Sequence, residues 1–170
     1  MTNLPAPPPE VASDRDVMKL APVFAAKVFD VLQQMERLGH DPMISEGFRS
    51  DERQRFLYGF GREYDDGRGV VTNASDGRSS WHRYGLAVDI ISKSKEWDAP
   101  PTFWNDLREC AQAIGLMPGA VWKHPDRPHV QHHCPGMPVS PTADDWALLE
   151  SGGFDAVWRK YLAVYLPEAA

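Results

Sequence analysis

The segment Ser80–Asp89 and the residues just after it restrict the fold more than any other part of this sequence. Residues 86–91 (Leu-Ala-Val-Asp-Ile-Ile) have the apolar, β-branched composition of a strand, yet Asp89 lies in its middle. Period-2 alternation places Asp89 on the face opposite to Val88 and Ile90. A carboxylate at such a position requires an explanation beyond packing. The sequence therefore predicts a strand that carries a polar site.

Apolar residues that recur every three or four positions predict helices on both sides of this strand. Gly39 and Gly115 follow two of these patterns and are expected to end their helices. Short apolar runs between turn-forming residues predict the strands. The predicted elements are a helix over 17–38, a short strand over 42–49, a helix that begins at Ser50, a loop over 61–80 with one small strand at 70–72, a strand over 86–91, a helix over 102–114, short strands at 121–122 and 129–132, and an amphipathic terminal helix over 154–165.

Length and charge exclude several classes of protein. A chain of 170 residues is long enough for one domain that buries its own core, and it needs neither disulfides nor a metal merely to fold. With 24 acidic and 18 basic residues the net charge is −6, which argues against nucleic acid or anionic lipid as the partner. There is no run of 18 apolar residues and no Sec leader. We therefore expect that the protein is made in the cytoplasm and does not insert into a membrane.

Composition divides the chain into three parts. Residues 1–16 are proline-rich and predict an extended or flexible tail. Residues 17–136 hold the predicted sheet and most helices, and 137–170 form a helical extension that we expect to pack on the same domain. An alternative is that the amphipathic end binds a partner.

Two histidines and one aspartate form a set that suits a metal. Catalytic zinc takes about three nitrogen or oxygen ligands and leaves one position open. A loop that carries His82 and passes through Gly85 into the strand of Asp89 can bring both side chains to one ion, and His129 can supply the third ligand. On this pattern alone, a surface histidine and a solvent-facing carboxylate explain the residues equally well.

Further motifs surround these residues. They include Gly47-Phe-Arg-Ser50, Gln54-x-x-Leu-Tyr-x-x-Gly-Arg62, Val71-Thr-Asn-Ala-x-x-Gly-x-Ser79, Ser80-x-His-x-x-Gly-x-Ala-x-Asp89 and Asp126-x-Pro-His-x-Gln131. In this order, over residues 43–131, the chain resembles the zinc D-alanyl-D-alanine carboxypeptidase superfamily, and most closely its L-alanyl-D-glutamate peptidase branch, which includes many phage endolysins.

The resemblance implies a role for each site residue. His82, Asp89 and His129 would bind one zinc ion, Asp126 would act as the general base, and Arg49 would hold the charge of the substrate or of the developing oxyanion. We expect Ser80 to brace the His82 loop or to contact a peptide group of the substrate. The expected fold is α+β, with a small, mainly antiparallel sheet that bears the zinc site and helices packed around it.

A histidine-rich stretch leaves one alternative for the ligand set. Alternation places His129, Gln131 and His133 on one face, so a shift in register would give the ligand role to His133. Val130 stands where the family usually has a larger aromatic residue, which puts the stem-peptide preference in doubt.

The expected function is hydrolysis of peptidoglycan stem peptides, with the L-Ala–D-Glu bond preferred. D-Alanyl-D-alanine carboxypeptidase activity at the same site is the first alternative, and a noncatalytic zinc-binding module of the same fold is the second. We expect a monomer that acts on the periplasmic or extracellular wall as an endolysin or another cell-wall hydrolase.

Overall fold

The computed structural model describes residues 4–162. Within this range the helices and strands are α1 (Pro22–Arg37), β1 (Pro42–Glu46), α2 (Asp51–Gly59), β2 (Ala87–Ser92), α3 (Pro101–Ala113), β3 (Met117–Pro118), β4 (His129–Gln131) and α4 (Ala143–Leu162). The strands form one antiparallel sheet in the order β1-β2-β4-β3. The predicted α+β class with a small antiparallel sheet is confirmed.

The hydrophobic core joins the apolar sides of α1 and α3 to the two central strands. Phe24 and Val28 of α1 are buried together with Phe103 of α3 and with Val88 and Val130 of the sheet. Every residue of β2 is buried, so this strand is enclosed on both faces. Asp89 therefore lies inside the molecule, and the sheet places it in a fixed position.

The first helix begins later than predicted. Val17–Lys19 forms a 3-10 turn, and α1 starts at Pro22. Ala21 is extended, with φ −58° and ψ 128°, because the ring of a proline disfavours helical backbone in the residue before it. The helix ends before Gly39 as predicted, since that glycine adopts φ +87°.

Two of the predicted short strands are wrong. Residues 70–72 contain no regular strand. Gly119–Val121 forms a 3-10 turn in place of a strand at 121–122, and the sheet is completed by Met117–Pro118. The chain turns because Gly119 O accepts hydrogen bonds from the N–H groups of Trp122 and Asp126.

The C-terminal part folds back on itself. Gly153 has non-helical backbone, with φ 67° and ψ −169°, so α4 consists of two halves, 143–152 and 154–162. We call residues 143–162 the C-terminal hairpin. Val157 and Tyr161 of its second half are buried against the domain. Of the predicted terminal helix, the residues beyond Leu162 lie outside the described part.

The proline-rich start has no helix or strand over residues 4–16 and contains a single bend. Its backbone oxygens accept hydrogen bonds from the folded domain: Asp14 O from Gly47 N and Val11 O from the Nη1 of Arg53, both at 2.6 Å. Within residues 4–162, no helix has the length and apolar character needed to cross a membrane.

Candidate metal centre

Three buried side chains meet at one end of the sheet. Asp89 of β2 lies directly opposite His129 of β4, and His82 approaches from the preceding turn. His82 Nε2 is 3.2 Å from His129 Nδ1, and each of these nitrogens is 3.4 Å from Asp89 Oδ1. These atoms form a nearly equilateral triangle.

The size of this triangle fits zinc. Ligands placed tetrahedrally around zinc at about 2.0–2.1 Å lie about 3.3–3.4 Å from one another. The three atoms match three corners of such a tetrahedron, and two imidazoles with one carboxylate are a donor set that zinc accepts. The fourth corner has no ligand among the described residues, as in catalytic rather than structural zinc sites.

Each of the three side chains is also held by a second partner. His82 Nδ1 donates to Gly47 O at 2.8 Å, and His129 Nε2 donates to Gln131 Oε1 at 3.0 Å. These bonds leave His82 Nε2 and His129 Nδ1 as the free ring nitrogens. Hydrogen bonds of this kind fix the tautomer and the orientation of metal-binding imidazoles.

A β-bulge builds the charged surroundings of Asp89. The register shifts between Ile44 and Glu46, so Glu46 lies opposite Asp89. Arg49 joins the two carboxylates: Nε donates to Glu46 at 3.0 Å and Nη2 donates to Asp89 Oδ2 at 3.1 Å. Gln54 accepts from the Nη1 of Arg49 at 3.1 Å. Arg49, which the resemblance assigns to the charge of the substrate, is thus buried and bonded to a candidate ligand.

The turn that carries His82 depends on a glycine. Trp81–Tyr84 is a 3-10 turn, and Gly85 ends it in the left-handed region at φ +66°. A β-carbon on Gly85 would lie 2.6 Å from Lys19 O, so the chain can enter β2 at this point only with glycine.

Burial and nearby charges set the protonation of the cluster. Burial, followed by the charge of Arg49, lowers the pKa of His82. Burial would raise the pKa of Asp89, but the positive charge of the Arg49 guanidinium, 3.1 Å from its Oδ2, helps to hold it well below its usual range. A neutral imidazole and an ionised carboxylate are the forms that bind metal.

Asp126 lies on an exposed turn beside this cluster. A β-carbon on Gly119 would lie 3.0 Å from His129 Cβ and 3.1 Å from Asp126 Cβ, so these two residues flank the same backbone point. Partial burial of its carboxyl group, together with the negative charge of Asp89, raises the pKa of Asp126. A cleft of about 550 Å³ opens along the same turn, lined by Trp97, Trp104, Pro125, Asp126, Arg127 and Pro128.

The remaining candidates take different positions. His133 is exposed and lies outside the metal cluster. The side chain of Ser80 makes no capping hydrogen bond, although its backbone oxygen accepts from Arg83 N at 3.0 Å within the His82 turn. The sequence patterns did not indicate that Glu46 binds Arg49, nor which residue is the second partner of His129. The latter, Gln131, could have been found because it lies two residues further along the same strand face.

Comparison with known proteins adds to this geometry. The model of the VanY family, described as D-alanyl-D-alanine carboxypeptidase, matches residues 17–117. The match includes His82 and Asp89 but ends before Asp126 and His129. The peptidoglycan L-alanyl-D-glutamate endopeptidase CwlK of Bacillus subtilis (strain 168) is 33% identical over 105 residues, which are 55% of this chain and 61% of CwlK. The similarity thus spans less than two thirds of that relative.

Two solved structures share the fold. The LdcB LD-carboxypeptidase has a TM-score of 0.51 at 17% identity, over 78% of this chain and 68% of LdcB. The vancomycin-resistance D,D-pentapeptidase VanY of a VanB-type cassette, solved in complex with Zn(II), has a TM-score of 0.50 at 15% identity, over 75% of this chain and 82% of that one. At such identities the likeness concerns the fold alone.

Proposed function

Because the chain belongs to the VanY family of D-alanyl-D-alanine carboxypeptidases, we propose that it is a zinc metallopeptidase that hydrolyses peptidoglycan stem peptides. One zinc ion is held by His82, Asp89 and His129. The observation that carries the proposal is the triangle of ligand atoms at 3.2, 3.4 and 3.4 Å, in which each residue has a second partner. The Zn(II) complex of the VanY neighbour is consistent with this choice of metal.

A zinc ion at this site would polarise the scissile carbonyl group and lower the pKa of water that reaches it. We assign the proton transfers to Asp126. Its carboxylate accepts a proton from the attacking water and delivers it to the nitrogen of the leaving amine. The raised pKa of Asp126 supports this role, because a carboxylate with a raised pKa is a stronger base for the proton of the water.

Arg49 has two tasks in this proposal. Its bond to Asp89 Oδ2 orients that carboxylate so that Oδ1 faces the two histidines. Nη1 and Nη2 each carry a second N–H group. We assign these to a substrate carboxylate or to the oxyanion, as the family resemblance implies, and Ser80 to a peptide group of the substrate.

Peptidoglycan offers two candidate bonds. The L-Ala–D-Glu bond is our choice, because CwlK, an L-alanyl-D-glutamate endopeptidase, is 33% identical over the matched region. D-Alanyl-D-alanine carboxypeptidase activity is the second candidate, since the family model carries that description. A noncatalytic zinc module is disfavoured because Asp126 stands beside the cluster with a raised pKa. We further propose a monomer that acts on the cell wall, as endolysins do.

Mass spectrometry of digested peptidoglycan distinguishes these activities. Purified peptidoglycan is incubated with the zinc-loaded protein, and the released fragments are sequenced. New L-Ala C-termini together with new D-Glu N-termini support the endopeptidase. Loss of terminal D-Ala alone supports the carboxypeptidase, and intact stem peptides after incubation with folded, zinc-loaded protein overturn both.

A further inference from the structure

We propose that the C-terminal hairpin, residues 143–162, is a positioning element of the metal centre. Its second half contacts both the turn that carries His82 and the strand end that orients the His82 ring. This inference rests on the proposed zinc function, but it concerns a segment that follows the last candidate ligand and lies outside the family match, which ends at residue 117.

The first set of contacts is made with the His82 turn. Trp158 Nε1 donates to Tyr84 O at 2.8 Å. The ring of Tyr161 meets the ring of Trp81 edge-on, with centroids 5.3 Å apart. Two side chains on one face of the hairpin therefore hold the residues that flank His82 on both sides.

The second set of contacts reaches the partner of the His82 ring. Gly47 O accepts the hydrogen bond from His82 Nδ1, and the next residue, Phe48, packs edge-on against Phe154 with centroids 5.9 Å apart. The guanidinium of Arg83 lies over both phenyl rings, at 5.4 and 6.0 Å from their centroids. The hairpin thus supports the carbonyl group that sets the tautomer of His82 as well as the turn itself.

A buried carboxylate keeps the hairpin closed. Asp145 is fully buried and accepts hydrogen bonds from Lys160 Nζ at 2.6 Å and from the Tyr161 hydroxyl at 2.7 Å. In a straight helix, residues 15 positions apart would be separated by about 22 Å. The turn at Gly153 and the bonds to Asp145 therefore fix Trp158 and Tyr161 against the His82 turn.

The contacts of the hairpin position His82 more than they position Asp89 or His129. Asp89 and His129 are fixed opposite each other by backbone pairing between β2 and β4, which does not involve the hairpin. His82 lies in a 3-10 turn outside the sheet, and the segment that follows β1 holds its backbone by a single hydrogen bond, from Arg49 N to His82 O at 3.2 Å. Loosening the hairpin should therefore weaken zinc binding through His82 while the sheet remains intact.

Trp158→Phe tests this directly, because it keeps an aromatic ring and removes the N–H group that binds Tyr84 O. Trp146→Phe is the matched control: Trp146 is also half-buried on the hairpin, but its ring lies under the guanidinium of Arg78 and it does not donate to Tyr84 O. Zinc affinity is measured by competition with a chromophoric chelator, and folding of the metal-free protein by circular dichroism. For Trp158→Phe we expect about a tenfold loss of zinc affinity, which is the lower end of the effect of losing a partner of a metal ligand. For Trp146→Phe we expect no loss.

Equal zinc affinity in the two variants and the wild type would overturn the inference and leave the proposed function standing. A wild type that binds no zinc would overturn both. If Trp158→Phe is poorly folded, Phe154→Leu replaces it, because this change removes the ring that packs on Phe48 and leaves the N–H group of Trp158 in place for Tyr84 O. A loss of zinc affinity in folded Phe154→Leu supports the inference, and wild-type affinity contradicts it.

Discussion

The two sides of the metal centre are held in different ways. On the sheet side, Asp89 and His129 face each other across two paired strands whose backbone hydrogen bonds set their separation. On the turn side, the carbonyl of Gly47 accepts a hydrogen bond from the His82 ring, and Trp158 and Tyr161 contact residues of the turn that carries His82.

This difference shows where the centre is vulnerable. The position of a strand residue follows from local pairing, whereas the position of His82 depends on residues 35 positions before it and more than 70 after it. We expect changes on the sheet side to act through the ligands themselves and changes on the turn side to act through stability and orientation. The following predictions test that division.

The largest effect is expected from Asp89→Asn. The change removes the anionic ligand and one of the two carboxylates paired with the buried Arg49, so zinc affinity should fall more than about 100-fold and hydrolysis should be lost. Chelator competition and peptidoglycan digestion measure the two losses. Asp106→Asn is the control. It removes a carboxylate of α3 that is paired with His40, and it should retain wild-type zinc affinity. Wild-type affinity in Asp89→Asn would show that Asp89 is not a ligand.

Asp126→Asn should separate zinc binding from chemistry. The amide cannot accept the proton of the attacking water, so we expect hydrolysis to fall by about 10²–10⁴-fold. Zinc affinity should stay at the wild-type value, because Asp126 lies outside the ligand triangle. Both quantities are measured on one zinc-loaded preparation. Unchanged hydrolysis would refute the role of Asp126 as the base.

Gly85→Ala should destabilise the turn side. Both Gly85 and Gly39 have positive φ, but only at Gly85 would a methyl group meet backbone, at 2.6 Å from Lys19 O. We expect Gly85→Ala to lose about 1–3 kcal/mol more unfolding free energy than Gly39→Ala. Urea unfolding of the metal-free proteins gives the difference. Equal losses would mean that the turn tolerates displacement from Lys19.

The smallest effect concerns pH. Burial lowers the pKa of His82 and of His132 in the folded protein, while the unfolded chain titrates near 6.5. Between the lowered values and 6.5 the unfolded chain binds more protons, so the stability of the metal-free protein should fall as the pH drops below about 6.5. His82→Gln should remove part of this slope in urea unfolding at pH 7.5 and 5.5. A slope identical to that of the wild type would contradict the burial argument for the turn side.

The sequence predicted the sheet side better than the turn side. Alternation in residues 86–91 and 129–132 indicated the faces of Asp89 and His129, and strand pairing follows the same local rule in the structure. The N-cap at Ser50 and the helix end before Gly39 were also predicted, because capping depends on neighbouring residues.

Features that depend on distant contacts could not be predicted. The bulge that aligns Glu46 with Asp89 and the bond from Arg49 to Gln54 depend on residues of different elements and leave no periodic pattern in the sequence. The same holds for the turn at Gly119–Val121, where a strand was expected at 121–122, since its shape is set by Asp126 and His129. Apolar periodicity in 154–165 predicted a helix but gave no sign that it folds back on Asp145.

A zinc titration tests whether hydrolysis depends on one metal ion per chain. Metal-free protein receives increasing amounts of zinc, and the rate of peptidoglycan hydrolysis is followed at each step. We predict no hydrolysis without metal, a linear rise of the rate with added zinc, and saturation at one zinc per chain, as expected for a single site with an open position. Full hydrolysis by protein shown to be metal-free, or saturation at another ratio, would contradict it.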